Sequence, residues 1–136
     1  MLMYRSLIMA FLILLMTINS YAQIGMTRAE IVHQLGTNYN ESHDENGLER
    51  ITCVTYPSAD YGTYKETDEY CFDGNEICNE YISVIPLLYM DITVAFLNKT
   101  YQSINYNVWY DKQYNTIIKL FPMTESNVMV TDYKRQ

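Results

Sequence analysis

Carboxylates and thiols are the residues of this chain that could do chemistry, and its aromatics are the ones that could hold a ligand. Glu66, Asp68 and Glu69 lie within one four-residue window, with Asp111 further on. A glycoside hydrolase works with two carboxyls about 5 to 9.5 Å apart, one as acid and the other as base or nucleophile. The spacing here sets no such pair, and Glu66 and Asp68 read more simply as decoration on the rim of a strand. The sequence has no Gly-rich phosphate loop, G-x-S-x-G elbow or H-E-x-x-H pair, so no catalytic residue is assigned.

Asp44-Glu45-Asn46-Gly47-Leu48-Glu49 sets oxygen ligands around a glycine as a calcium loop does. It lacks the ligand order of an EF-hand and reads as a solvated acidic loop. Cys71 and Cys78 are too far apart in sequence for the short C-x2-4-C pairs of structural zinc. No metal or cofactor is expected. The aromatics are more suggestive: Tyr101, Tyr106, Trp109, Tyr110 and Tyr114 cluster among Asn and Gln rather than charges. Tyrosine and tryptophan on a polar sheet face supply rigid contact area and hydrogen bonds. Tyr106, Trp109, Tyr110 and Tyr114 are therefore the candidate ligand-binding residues, for a protein or a glycan.

The fate of the thiols depends on the compartment. Arg5 precedes the apolar run Leu7–Met16, and small residues follow at Ser20 and Ala22, the pattern of a signal peptide cut before Gln23. The run is shorter than the roughly 20 residues that span a bilayer, so no membrane span is expected once it is removed. Residues 1–22 are thus read as a leader and 23–136 as one exported domain, periplasmic or secreted. Export places the cysteines in an oxidising environment. A hairpin turning on Gly74-Asn75 would set Cys71 opposite Cys78, close enough for a disulfide, with Cys53 left as a small buried thiol.

Without Arg5 the chain carries 8 basic against 16 acidic residues. That balance excludes nucleic acid and anionic membrane surfaces as partners, since both attract basic proteins. Length and composition are those of one globular domain, with no low-complexity segment, linker or visible internal repeat.

The elements that must position these residues begin with a helix over Thr27–Leu35. Thr27 and Glu30 form a capping box, Ile31, Val32 and Leu35 make its apolar stripe, and Gly36 is placed to end it. Downstream, Asn38–Gly47 reads as loop, Glu49–Tyr56 as a strand and Pro57–Gly62 as a turn. Tyr64–Phe72 and Ile77–Ile85 read as a hairpin, and Asp91–Asn98 as a second short helix. Tyr101–Tyr110, Thr116–Phe121 and Asn127–Tyr133 follow as strands, separated by turns at Asp111–Asn115 and Pro122–Ser126. The expectation is an α+β fold, short helices packed on one face of an antiparallel sheet of about six strands.

The segment Gly25-Met26-Thr27-Arg28-Ala29-Glu30-Ile31, closing at Leu35-Gly36, resembles the exported motif G-M-[ST]-x-x-E-[VI]-x-x-x-L-G. It is similar to the helix that opens small outer-membrane proteins of the SmpA/OmlA type and β-lactamase-inhibitor-like folds. The Ser-Tyr-Ala-Gln cleavage region resembles those of Bacteroidetes exported proteins. The resemblance implies helices on an antiparallel sheet, commonly in tandem, although the helix motif occurs once here. Taken together, the residues point to an exported, non-enzymatic binding or interaction module of the cell envelope. The alternative is a small carboxylate-dependent hydrolase acting on glycans or envelope material through Glu66, Asp68 or Asp111.

Overall fold

The computed structural model describes residues 23 to 59 and 62 to 136. The expected leader at residues 1 to 22 lies outside the described residues. Helix α1, Arg28–Leu35, starts where the capping box places it. The Glu30 N–H donates to Thr27 Oγ1 at 3.2 Å, and Glu30 Oε1 accepts from the Thr27 N–H at 3.5 Å. Gly36 ends the helix at φ 65°, a positive value that glycine adopts without strain, and its N–H donates to Val32 O. Thr27→Ala removes one acceptor from orphan donors and is expected to cost about 1 kcal/mol. Urea unfolding should show a lower midpoint at an unchanged slope.

The strands are β1 (Asn40–His43), β2 (Glu49–Thr55), the short pair β3 (Ser58–Ala59) and β4 (Gly62–Thr63), β5 (Glu66–Phe72) and β6 (Cys78–Pro86). A 3-10 turn at Leu87–Tyr89 leads into helix α2, Met90–Thr100, followed by β7 (Gln102–Asn105), β8 (Val108–Asp111), β9 (Thr116–Met123) and β10 (Val128–Arg135). Eight strands form one antiparallel sheet in the order β1-β2-β5-β6-β10-β9-β8-β7. The fold is α+β with an antiparallel sheet, but eight strands replace the expected six.

The order hides a repetition that the sequence does not show. A helix followed by a four-stranded meander (α1 with β1, β2, β5 and β6) is succeeded by the same plan (α2 with β7, β8, β9 and β10). The two quartets meet last strand against last strand, β6 antiparallel to β10, so a half-turn between them maps one plan onto the other.

Register sorts the residues into two sides. Ile51, Tyr70, Tyr81, Tyr133, Ile118 and Trp109 are directly opposed across six successive strands. This row floors two buried clusters. Ile31 of α1 packs with Ile51, Cys53, Tyr70 and Phe72, and Leu97 of α2 packs with Trp109, Ile118, Leu120 and Met129. Arg28 ties α1 to the sheet edge, bonding Glu49 at 2.6 Å and also Glu41. The second expected helix, Asp91–Asn98, is present within α2.

Four local expectations need correction. Asn38–Gly47 is not all loop, because β1 pairs with β2 through it. Tyr101–Tyr110 is two strands, not one: Asn107 takes φ 53° and folds β7 back on β8. Asparagine tolerates that left-handed region better than most residues. Thr116–Phe121 extends through Pro122 and Met123. The Asp73–Ile77 hairpin turns over three residues, with Glu76 at φ 61°, rather than over Gly74-Asn75.

That last correction removes the expected disulfide. Asp73 Oδ1 accepts the N–H groups of Asn75 and Ile77, which stabilises the wider turn. A bulge at Cys71/Phe72 then sets Cys71 opposite Glu80 and Cys78 opposite Phe72. Cys78 joins the buried cluster, Cys71 pairs on the other side of the pleat, and Cys53, Cys71 and Cys78 are all free thiols.

Candidate functional site

Strand alternation gathers the carboxylates. Asp68 stands two residues inside the closing pair Thr55–Glu66 and is opposed by Cys53 on one side and Ser83 on the other. It is 6% exposed. Tyr81 Oη donates to Asp68 Oδ1 at 2.6 Å, Ser83 hydrogen-bonds the same carboxylate, and so does Glu66. Burial pushes Glu66 up to about 8, and the charge of the neighbouring Asp68 and the hydrogen bond to it add to the rise, which favours the protonated form of Glu66. Burial raises Asp68 as well, opposed by the bonds from Tyr81, Glu66 and Ser83.

Tyrosines gather beside Asp68. Tyr81 lies between Tyr70 and Tyr133, with ring centroids 5.2 and 5.5 Å apart, and burial raises the Tyr81 phenol well above its ordinary value. Tyr64 meets Tyr89 in a tilted ring contact, centroids 4.7 Å apart. A proton shared between two carboxyls could serve acid–base chemistry, but a glycosidase needs both carboxyls in reach of substrate. The enclosure of Asp68 and Tyr81 makes the cluster a polar part of the core. Asp111 is remote from it, at the far end of β8, where its Oδ1 accepts the Gln113 N–H.

The four aromatic candidates separate. Trp109 is 2% exposed, opposite Ile118 in the second buried cluster, and its Nε1 donates to Asn98 Oδ1 of α2 at 2.8 Å. Tyr106 is 84% exposed in the β7–β8 turn. Tyr110 sits half-buried on the opposite side of the pleat from Trp109, and its Oη bonds Asn115. Tyr114 packs against the first cluster. The four make no common face, because the Asn107 turn sets the phase of β8 and that phase points the indole inward.

The other chemical candidates take structural parts. Burial pushes Cys71 and Cys78 up to about 12, which leaves them as unreactive thiols. Asp44 Oδ1 is occupied by the N–H groups of Asn46 and Leu48, so it shapes the turn instead of offering a ligand. No group of three or more metal-ligating side chains occurs among the described residues.

The sequence reading missed the side of the sheet opposite the clusters. Val54, Thr67, Val84, Val130 and Phe121 are directly opposed across β2, β5, β6, β10 and β9, and Pro86, Val128 and Met123 continue the strip at the same end. Phe121 is 46% and Met123 48% exposed. Further along the strands the residues become charged: Arg50 pairs with Glu69 at 3.3 Å, and Glu80 stands opposite Lys134. Asp132, beside Lys119, is pushed up to about 7 by burial and by its hydrogen bond to Glu80. Two concavities border β7. One of about 290 Å³ is lined by Ile104, Val108, Ile117, Lys119, Asp132 and Lys134. One of about 450 Å³ is lined by Tyr101, Gln102, Tyr110, Asp111 and Lys112 among others.

No protein-family model, curated protein or solved structure matches the chain. Among the described residues no helix is long and apolar enough to cross a membrane.

Proposed function

We propose that residues 23–136 form an exported, non-enzymatic binding module that takes a protein of the cell envelope on the side of the sheet opposite its buried clusters. The uncovered strip of Val84, Val130, Phe121 and Met123 carries this reading. An apolar centre with charges of both signs beyond it is how a protein interface is composed. A glycan reading needs several exposed aromatics on one platform, and although Tyr106 is exposed, Trp109 is buried and Tyr110 half-buried, so the four candidates form none. The burial of Asp68, one of the two carboxylates, also favours binding over hydrolysis. The duplicated helix-and-meander plan accords with the tandem habit of the inhibitor-like folds that the first helix resembles.

The test uses the chain recovered from an exporting host, with Gln23 at its start by intact mass, immobilised against an envelope extract. Cross-links from a retained protein should map to the Val84–Phe121 strip. Phe121→Glu should weaken that capture about thirtyfold, the loss of one hot-spot residue. Its melting temperature should change little, because Phe121 is substantially exposed. Capture unaffected by Phe121→Glu, or no capture at all, overturns the proposal.

A further inference from the structure

The two edges of the eight-stranded sheet are built differently. Edge β1, Asn40-Glu41-Ser42-His43, carries a carboxylate that Arg28 of α1 holds in place. A charge on an edge, tied to its own helix, is one way proteins keep foreign strands away. Edge β7, Gln102-Ser103-Ile104-Asn105, has no charge and no proline, and all four residues are exposed. Ile104 is 50% exposed.

Both concavities open beside this uncharged edge. Gln102 lines the larger one and Ile104 the smaller, and these residues are two apart, the side-chain period of a strand. A bulge between Ser103 and Asn105 sits at the same place, a device that re-aims a side chain. A strand laid along β7 with the same period would therefore meet the two concavities with alternate side chains.

The charge around the edge selects the occupant. The chain as a whole has a net charge of −7. Yet Lys112, Lys119 and Lys134 line the two concavities, and none of them forms an ion pair among the described residues. Arg28 and Arg50, by contrast, are both paired. Asp111 accepts the Gln113 N–H, and Asp132, hydrogen-bonded to Glu80, feels the charges of Lys119 and Lys134 without an ion pair to either.

The geometry points to β7 as the acceptor of an extended acidic peptide, added to the sheet as a ninth strand with alternate side chains entering the two concavities. Main-chain hydrogen bonds hold such a peptide, and the pockets choose its side chains. This site lies beyond the charged end of the apolar strip, on the same side of the sheet, and does not require the strip to be an interface.

The probe is a blocked octapeptide of alternating Thr and Glu, added to the exported chain and followed by amide NMR. Saturable shifts are expected at Gln102–Asn105 and around Lys119 and Lys134. N-methylation of alternate probe amides should lower affinity at least tenfold without any change to the protein. A Lys-for-Glu probe should bind at least tenfold more weakly, and Lys119→Glu with Lys134→Glu should reverse that preference. Phe121→Ser, which adds no charge beside Lys119, should leave peptide binding intact, which separates this site from the strip. Equal binding of the N-methylated probe, shifts centred on Asn40–His43, or no shifts at millimolar peptide overturns the proposal.

Discussion

Trp109→Ala is expected to destabilise the domain by about 3 to 5 kcal/mol, the range for emptying an aromatic site in a packed core. The indole is enclosed by residues from α2, β9 and β10, with Leu97, Ile118, Leu120 and Met129 in its cluster. Its removal also strips the donor from Asn98 Oδ1, but Asn98 is exposed and water can replace the bond. The cost is therefore mainly cavity. A domain of this size holds about 5 to 15 kcal/mol in total, so the variant should melt on the order of 20 °C lower. Trp109→Phe keeps most of the volume and should recover much of the loss. If Trp109→Ala instead melted like the parent and only lost a partner, the tryptophan would be a contact residue and not part of the core.

Trp109 also shows what a single sequence can and cannot convey. Its alternation with Val108 and Tyr110 was legible, but which side faced the core depended on Asn107, where a positive φ ends one strand and starts the next. A lone asparagine without a following glycine is a weak turn signal, so β7 and β8 read as one strand. The first helix was legible in full, because a capping box and a terminal glycine are local codes.

The duplicated plan was illegible for a different reason. Counting from the closing pairs Thr55–Glu66 and Asp111–Thr116, Cys53 corresponds to Trp109 and Asp68 to Ile118. One half fills the position with a thiol facing a carboxylate, the other with an indole facing an aliphatic chain. Shared topology survives such exchanges while side-chain identity does not. The carboxylate cluster lay between these cases. Glu66 and Asp68 keep step with Tyr70 and Phe72, and that parity alone placed them on the core side. Acids stand far more often at the rim than in the core, and the partners Tyr81 and Ser83 come from another strand.

The same cluster gives the second large effect, a loss of stability as pH rises from about 5 to 9. Glu66 is held up at about 8 by burial and by its bond to Asp68, against an ordinary value of 4.5. The folded state therefore binds a proton that the unfolded chain has released. Its stabilising contribution is complete below about pH 4.5 and is lost as pH passes through about 8. Asp68 is raised in the same sense, and the groups facing the pair are the Cys53 thiol, the Tyr64, Tyr70 and Tyr81 phenols and Ser83. None of these is a cation that could compensate two carboxylates. Asp132, held up at about 7 by burial and Glu80, contributes the same sign from the other side of the sheet. With screening of the partly exposed Glu66, the expected loss is on the order of 2 kcal/mol between pH 5 and 9. Glu66→Gln keeps a neutral donor beside Asp68 at every pH and should flatten much of the slope, and adding Asp132→Asn should flatten it further. Chemical unfolding at pH 5, 7 and 9 decides the matter. Stability that climbs across this range, or a slope that Glu66→Gln leaves untouched, would mean that Glu66 ionises in the folded protein as freely as in the unfolded chain, and that Tyr81 and Ser83 hold Asp68 alone.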